Sequence, residues 1–169
     1  QVHAAPDDAE AMIVGLSELL RRSLDHRDRG EIPLAEEMEF LRLYLDIQCR
    51  RFESRLNVRY EVSDAVAEAL VPGLILQPLV ENSIRHAIAR RRAGGTVAIR
   101  AEVEGPRLLL EVEDFGGKPV AGPVREGLGL RTTRERLEKM YGPRHGFELL
   151  PGREGLRVRL ALPYHCHAG

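Results

Sequence analysis

The spacing of apolar residues shifts from mainly helical to mainly strand-like at Gly94-Gly95, and that shift limits the fold more than any other feature. Before it, apolar positions recur every three or four residues, as on one face of a helix. Ile13, Leu16, Leu20 and Leu24 form one stripe. Leu34, Met38, Leu41 and Leu45 form a second, widened by Phe40, Leu43, Tyr44 and Ile47. The first predicts a helix from about Ala9, capped by Asp7 or Asp8 and stopping near Arg29-Gly30; the second predicts a helix over 34–55. Residues 57–62 alternate and predict a short strand, and Pro72 precedes a third helix over about 74–91. After the glycines the period falls to two. Residues 96–103 and 107–113 predict a hairpin across Glu104-Gly105-Pro106, and 114–129 reads as loop. A fourth helix covers about 130–141, and strands over 147–150 and 156–162 pair across the turn after it. This order is neither a strict βαβ alternation nor all-β. It predicts an α+β sandwich: one mixed sheet, helices on one face, and a two-helix element in front.

Composition narrows the function. The 169 residues suit one domain of ordinary size, or one domain plus a helical appendage, with a core that needs no disulfide or structural metal. Lys+Arg 25 against Asp+Glu 26 leaves a net charge of −1, without the basic excess of a nucleic-acid-binding surface. Arg90-Arg91-Arg92 reads as cations at the negative end of a helix dipole. Cys49 and Cys166 form no spaced pair, so no disulfide framework is implied. No run approaches the ~18 apolar residues of a membrane span. No direct membrane contact is expected of these residues. The chain opens on Gln1 without a signal-peptide pattern and reads as a piece of a longer protein.

Three segments carry chemistry. On the third helix, Glu81, Asn82, Arg85 and His86 fall within two turns of an otherwise apolar stretch. Asn82 shares a face with Arg85 and His86, while Glu81 lies one residue round the cylinder. An amide oxygen suits a hard cation such as Mg²⁺, cations suit phosphates, and a carboxylate can accept a proton from an attacking nucleophile. Next, Asp114 leaves a strand directly into Gly116-Gly117. An acid there can accept a hydrogen bond from the exocyclic amine of a purine, and glycine lets the backbone approach a flat base. Finally, Gly127-Leu128-Gly129-Leu130 opens the fourth helix, offering free backbone N–H groups and a positive dipole end to phosphate, with Arg131, Arg134 and Arg136 nearby.

In this order, the segments resemble the N, G1 and G2 boxes of the GHKL superfamily of histidine kinases, gyrase and MutL. Further strings resemble the LytS type of sensor histidine kinase: Leu-Ser-Glu-Leu-Leu-Arg-Arg-Ser-Leu over 16–24, Glu-Glu-Met-Glu-Phe-Leu-Arg-Leu-Tyr-Leu over 36–45, Arg-Arg-Phe-Glu-Ser-Arg-Leu over 50–56, and Leu-Gln-Pro-Leu-Val-Glu-Asn over 76–82. The resemblance runs from about Ala9 to Pro163. It implies the Bergerat α/β sandwich over 57–163, preceded over 1–56 by the C-terminal part of a helical dimerisation and phosphoacceptor region, with a tail over 164–169. It implies ATP and Mg²⁺ as cofactors, with Asn82 as Mg²⁺ ligand, Glu81 as general base, and Arg85 and His86 facing the phosphates. Asp114 would read adenine, Gly116 would lie under the base, and Gly127, Leu128, Gly129 and Leu130 would shape the phosphate loop. It also implies a cytoplasmic setting within a bacterial inner-membrane sensor, a homodimer, and a response regulator receiver domain as partner.

The chain departs from the family pattern in three places. The phosphoacceptor motif is missing and is expected upstream of residue 1. The G1 box carries Phe115 where Asn is common and Lys118 where Gly is usual, and Thr132 replaces an Asn after the G2 glycines. The altered G1 box keeps a second reading open, a non-catalytic nucleotide-binding scaffold. His3 and His26 lie outside any such motif and read as surface residues. His165-Cys166-His167 reads as a chain terminus rather than a metal site.

Overall fold

A computed structural model describes residues 6–88, 93–116, 126–152 and 154–166. These form four α-helices and two sheets, in the order α1 (Pro6–Asp28), β1 (Glu31–Pro33), α2 (Leu34–Phe52), β2 (Leu56–Val62), β3 (Leu70–Pro72), α3 (Leu76–Ala87), β4 (Gly95–Glu104), β5 (Arg107–Phe115), α4 (Leu128–Tyr141), β6 (Gly146–Pro151) and β7 (Leu156–Pro163). Helix α1 starts on Pro6, where a missing N–H costs nothing.

The main sheet has the order β2-β4-β5-β7-β6. β2 runs parallel to β4 and every other neighbour is antiparallel. A parallel pair needs a crossover, and α3 lies in it between β2 and β4. The predicted hairpin is present, with Glu104 opposite Arg107 and Thr96 opposite Phe115. A second, two-stranded sheet joins β1 to β3. The sequence does not announce it: three residues per strand give no period, and Pro33 and Pro72 read as breakers.

Alternation decides which side of the sheet faces in. Val97, Ile99 and Ala101 on β4, Leu108, Leu110 and Val112 on β5, and Val158, Leu160 and Leu162 on β7 meet one apolar layer. That layer comes from Leu34, Met38, Leu41 and Leu45 of α2, Leu76, Leu79 and Val80 of α3, and Leu130, Leu137 and Tyr141 of α4. The other face of the sheet is ionic. Arg100 reaches Glu61 and Glu113, each at 2.7 Å, Arg157 reaches Glu113 at 3.2 Å, and Arg159 reaches Glu111 at 2.5 Å. Burial pushes the Glu113 carboxyl up, but the hydrogen bonds from Arg100 and Arg157 outweigh it and hold the group below its usual range.

Helices α1 and α2 form an antiparallel hairpin. Gly15 packs on Ile47, Arg22 pairs with Glu39 at 3.4 Å and Arg29 with Glu36 at 2.6 Å. Leu19, Phe40 and Ile47 make a small core between them. The opposite face of α1 leaves Ile13, Val14, Leu16, Leu20 and Leu24 exposed, Leu20 by 68%.

Helix bounds differ from expectation at five ends. α1 begins at Pro6, so Asp7 and Asp8 lie in its first turn instead of capping it, and α3 ends at Ala87 with Ile88 as its C-cap. α2 stops at Phe52, because Glu53 takes a positive φ and a 3₁₀ turn follows. α3 begins at Leu76, because Leu74 is left-handed at φ 61. α4 begins two residues early, at Leu128. The expected Arg90-Arg91-Arg92 helix end lies outside the described residues. Tyr164, His165 and Cys166, read from sequence as the start of a tail, are bonded to the domain: Tyr164 N–H donates to Pro106 O at 2.9 Å, and Leu70 N–H donates to His165 O at 2.8 Å.

Gly94 has φ +78, and a Cβ on it would lie 2.3 Å from the Arg55 carbonyl oxygen, where β4 starts beside β2. Gly94→Ala meets both a left-handed penalty and a backbone clash. It is expected to cost about 2–4 kcal/mol in urea unfolding.

Candidate functional site

The three chemistry-bearing segments come together because α3 packs over β5 and against α4. On β5, Asp114 keeps the parity of Leu108, Leu110 and Val112, so its side chain turns toward the helices and is 1% exposed. Its Oδ1 accepts from the Leu156 N–H at 3.2 Å, and its Oδ2 has no hydrogen-bond partner among the described residues. Burial pushes the carboxyl up to about 6, against the Leu156 hydrogen bond, and neighbouring Glu113 adds to the rise. A buried acceptor without a donor costs on the order of 1–3 kcal/mol, which a ligand N–H can recover.

Helix α3 splits its polar residues between two sides. Asn82 turns inward and is 6% exposed; its Nδ2, like the Ser83 Oγ beside it, has no partner among the described residues. Glu81 turns toward α2. It accepts from Gln77 Nε2 at 2.9 Å and sits beside Tyr44, whose hydroxyl is pushed well above its usual range by burial and by the Glu81 charge. Glu81 thus lines a cleft of about 300 Å³ between α2 and α3 with Tyr44, Gln48, Arg51 and Arg85. Arg85 belongs to both sides, since its guanidinium also lies against Gly127, where a Cβ would come within 3.6 Å of Nη1. His86 is half-buried.

Helix α4 opens on Gly127, which caps it with no side-chain hydrogen bond, and the first intrahelical bond is Arg131 N–H to Gly127 O. The N–H groups of Leu128, Gly129 and Leu130 therefore fall in the first turn, which has no intrahelical acceptors. The Leu130 side chain is core, whereas Leu128 is 72% exposed, so both contribute through the backbone. Two of the three arginines near this turn are engaged within the fold. Arg134 pairs with Glu126 and lies 4.2 Å over the Phe147 ring, and Arg136 donates to Gly73 O at 2.6 Å.

Gly116 has φ +102 and lines a shallow depression with Asn57, Arg59, Phe115 and Glu154. Lys118 and Gly117 lie outside the described residues, as does His3. Thr132 is exposed. His165 binds Glu31 Oε2 at 3.1 Å. Among the described residues no group of three or more His, Cys, Asp or Glu could hold a metal ion, and no helix is long and apolar enough to cross a membrane.

Sequence reasoning missed Gly155. A Cβ there would lie 1.9 Å from Asp114 Oδ1, so the Asp114 cradle includes a turn some forty residues further on. A Gly-rich turn carries no local sign of that contact.

Solved structures similar to this chain include histidine kinase domains. The chain is similar to the histidine kinase domain of the Erythrobacter litoralis EL346 blue-light activated histidine kinase, at TM-score 0.61 and 21% identity over 90% of this chain and 74% of that one. It is also similar to histidine kinase ThkA in complex with response regulator protein TrrA, at TM-score 0.61 and 17% identity over 90% of this chain and 48% of that one. The fold is that of histidine kinase catalytic domains, the GHKL sandwich.

Sequence relatives narrow the class. A family model described as histidine kinase matches residues 1–56. Sensor histidine kinase BtsS of Escherichia coli (strain K12) is 33% identical over 96% of this chain, and sensor protein LytS of Staphylococcus epidermidis is 26% identical over 94% of it. The chain spans about 29% of the length of these relatives. Over nearly its whole length the chain is therefore similar to sensor histidine kinases of the BtsS and LytS type.

Asp114 yields a pH prediction. The folded chain holds this proton more tightly than the unfolded one, at about 6 against an ordinary 3.8. Ionising Asp114 therefore costs stability as pH rises from about 4 to about 6, and the full cost persists above. Asp114→Asn does not titrate. Its urea midpoint is expected to gain on wild type across that window and hold the gain to pH 8; a gap that stays constant from pH 4 to 8 contradicts the assignment.

Proposed function

We propose that residues 57–163 are the ATP-binding catalytic domain of a sensor histidine kinase and that 1–56 belong to its dimerisation and phosphoacceptor region. The observation that carries this reading is the Asp114 carboxylate, buried at the end of β5 with one oxygen left for a donor. Asp114 accepts a hydrogen bond from the exocyclic amine of adenine, and Gly116 lets the chain pass close to the base. The open first turn of α4, through the N–H groups of Leu128, Gly129 and Leu130, meets phosphate oxygens, and Gly127 keeps that approach clear. Arg85 and His86 add charge-assisted bonds to the same oxygens.

Asn82 would hold Mg²⁺ through its amide oxygen, a donor that suits a hard cation. The metal supplies charge neutralisation, and much of the catalysis is positioning. Glu81, on the α2 side, takes the proton from the attacking imidazole of a histidine outside residues 1–169. The phosphoryl group then passes to an aspartate on a response regulator receiver domain, a partnership supported by the ThkA–TrrA complex. The parent protein is proposed to be an inner-membrane sensor with this domain in the cytoplasm. A scaffold that binds nucleotide without phosphoryl transfer is the second reading, and it draws on Phe115 in the G1 box and on the engagement of Arg134 and Arg136 within the fold.

Isothermal titration with ADP and a non-hydrolysable ATP analogue tests the site. Mg²⁺ is expected to tighten binding, Asp114→Asn to weaken it at least 100-fold, and Asn82→Ala to remove the Mg²⁺ dependence. A folded wild-type chain that binds neither nucleotide would sink the reading.

The exposed stripe of Ile13, Leu16, Leu20 and Leu24 supports a homodimer through α1. Sedimentation equilibrium is expected to give a concentration-dependent mass for wild type and the monomer mass for Leu20→Glu.

A further inference from the structure

Helix α3 begins without help from its own sequence. Its N-cap residue, Ile75, has helical φ and ψ and caps with no side chain. Leu74, just before, sits in the left-handed region at φ 61, where a leucine is strained. What fixes this turn is Glu37, from the first turn of α2 and 0% exposed. Glu37 Oε2 accepts from the Leu74 N–H at 2.8 Å, and Oε1 accepts from the Leu76 N–H at 2.9 Å. The Ile75 N–H adds to the hold. A carboxylate at a helix N-terminus also complements the helix dipole. Burial pushes the group up to about 7, opposed by these N–H donors and by the Arg136 guanidinium. The first turn of α4 is open by contrast, with no side-chain cap among the described residues. Asn82 lies six residues past Leu76, roughly 9 Å along the helix axis.

We infer that Glu37 is a positioning residue: it ties the N-terminus of α3 to α2, so that Asn82 and the phosphate side of the site move with α2 while the base side, on β5, stays fixed. The inference rests on the nucleotide-site reading above. It gives α2 a route into the site that uses three backbone N–H groups. Asp114 is outside this route, since it hangs on the β5 ladder and the Leu156 N–H.

The test pairs amide hydrogen exchange with two titrations, Mg·ADP and adenosine, on wild type and Glu37→Gln. Gln keeps the volume and one acceptor oxygen but turns an NH₂ group toward a backbone donor. The Leu76 amide is expected to exchange at least 100-fold more slowly in wild type than those of Leu128 and Gly129, and at least tenfold faster in the variant. Mg·ADP affinity is expected to fall at least tenfold in Glu37→Gln while adenosine affinity holds within twofold. Glu37→Asp, which keeps the charge, is expected to recover part of the loss. It also serves as the probe if Glu37→Gln does not fold. Parallel loss of both affinities marks general loosening and overturns the inference, as does an unchanged Mg·ADP affinity. A wild-type chain that binds neither ligand overturns the nucleotide-site reading and this inference together; wild-type binding with an unmoved ratio overturns this inference alone.

Discussion

A fully buried carboxylate holding the first turn of α3 is the interaction on which the rest of this structure turns. Taking Glu37 out of water is costly, and the backbone N–H groups around Leu74 are what offset it. The same short stretch gathers other bonds. The Gly73 N–H donates to Gly30 O at 3.0 Å, Gly73 O accepts from Arg136, and the Leu34 N–H donates to Ala69 O at 2.7 Å. Residues from α2, α4 and the α1–α2 turn therefore converge on residues 69–76. The small β1–β3 sheet is the backbone part of this junction. It joins the turn between α1 and α2 to the stretch that leads into α3.

Much of this was legible in the sequence, for a physical reason. The two periods, 3.6 and 2, reflect which face each element buries, and the core bears them out from Leu34 to Leu162. Parity along β5 even carries Asp114 to the right side of the sheet. The parts that could not be read depend on contacts between distant residues. Glu37 lies in an acidic run whose neighbours Glu36 and Glu39 face solvent more, and no local rule separates one buried glutamate from its neighbours. The left-handed Leu74 follows from what surrounds it rather than from leucine. Arg134 and Arg136 read as added positive charge near a glycine turn, but helical spacing aims one at Phe147 and the other at Gly73 O.

The two helix N-termini illustrate one principle used in opposite ways. Both α3 and α4 begin with N–H groups that the helix itself cannot satisfy. In α3 the protein supplies the acceptor and the end becomes a structural joint. In α4 the end opens on glycine, and no side chain among the described residues caps it. Neighbouring elements of similar length thus differ in role according to whether a buried acid reaches them.

Gly155 carries a consequence for how such a chain can change over generations. Any side chain at this position would drive into Asp114 Oδ1, so the turn between β6 and β7 is bound to the acid on β5 as tightly as if the two were adjacent in the sequence. A drift at 155 would be felt first in the Asp114 cradle and only then in the turn. The recognition pattern of this domain therefore extends beyond its contiguous boxes to a remote glycine, and a substitution library that samples the boxes alone would overlook a position where variation is forbidden.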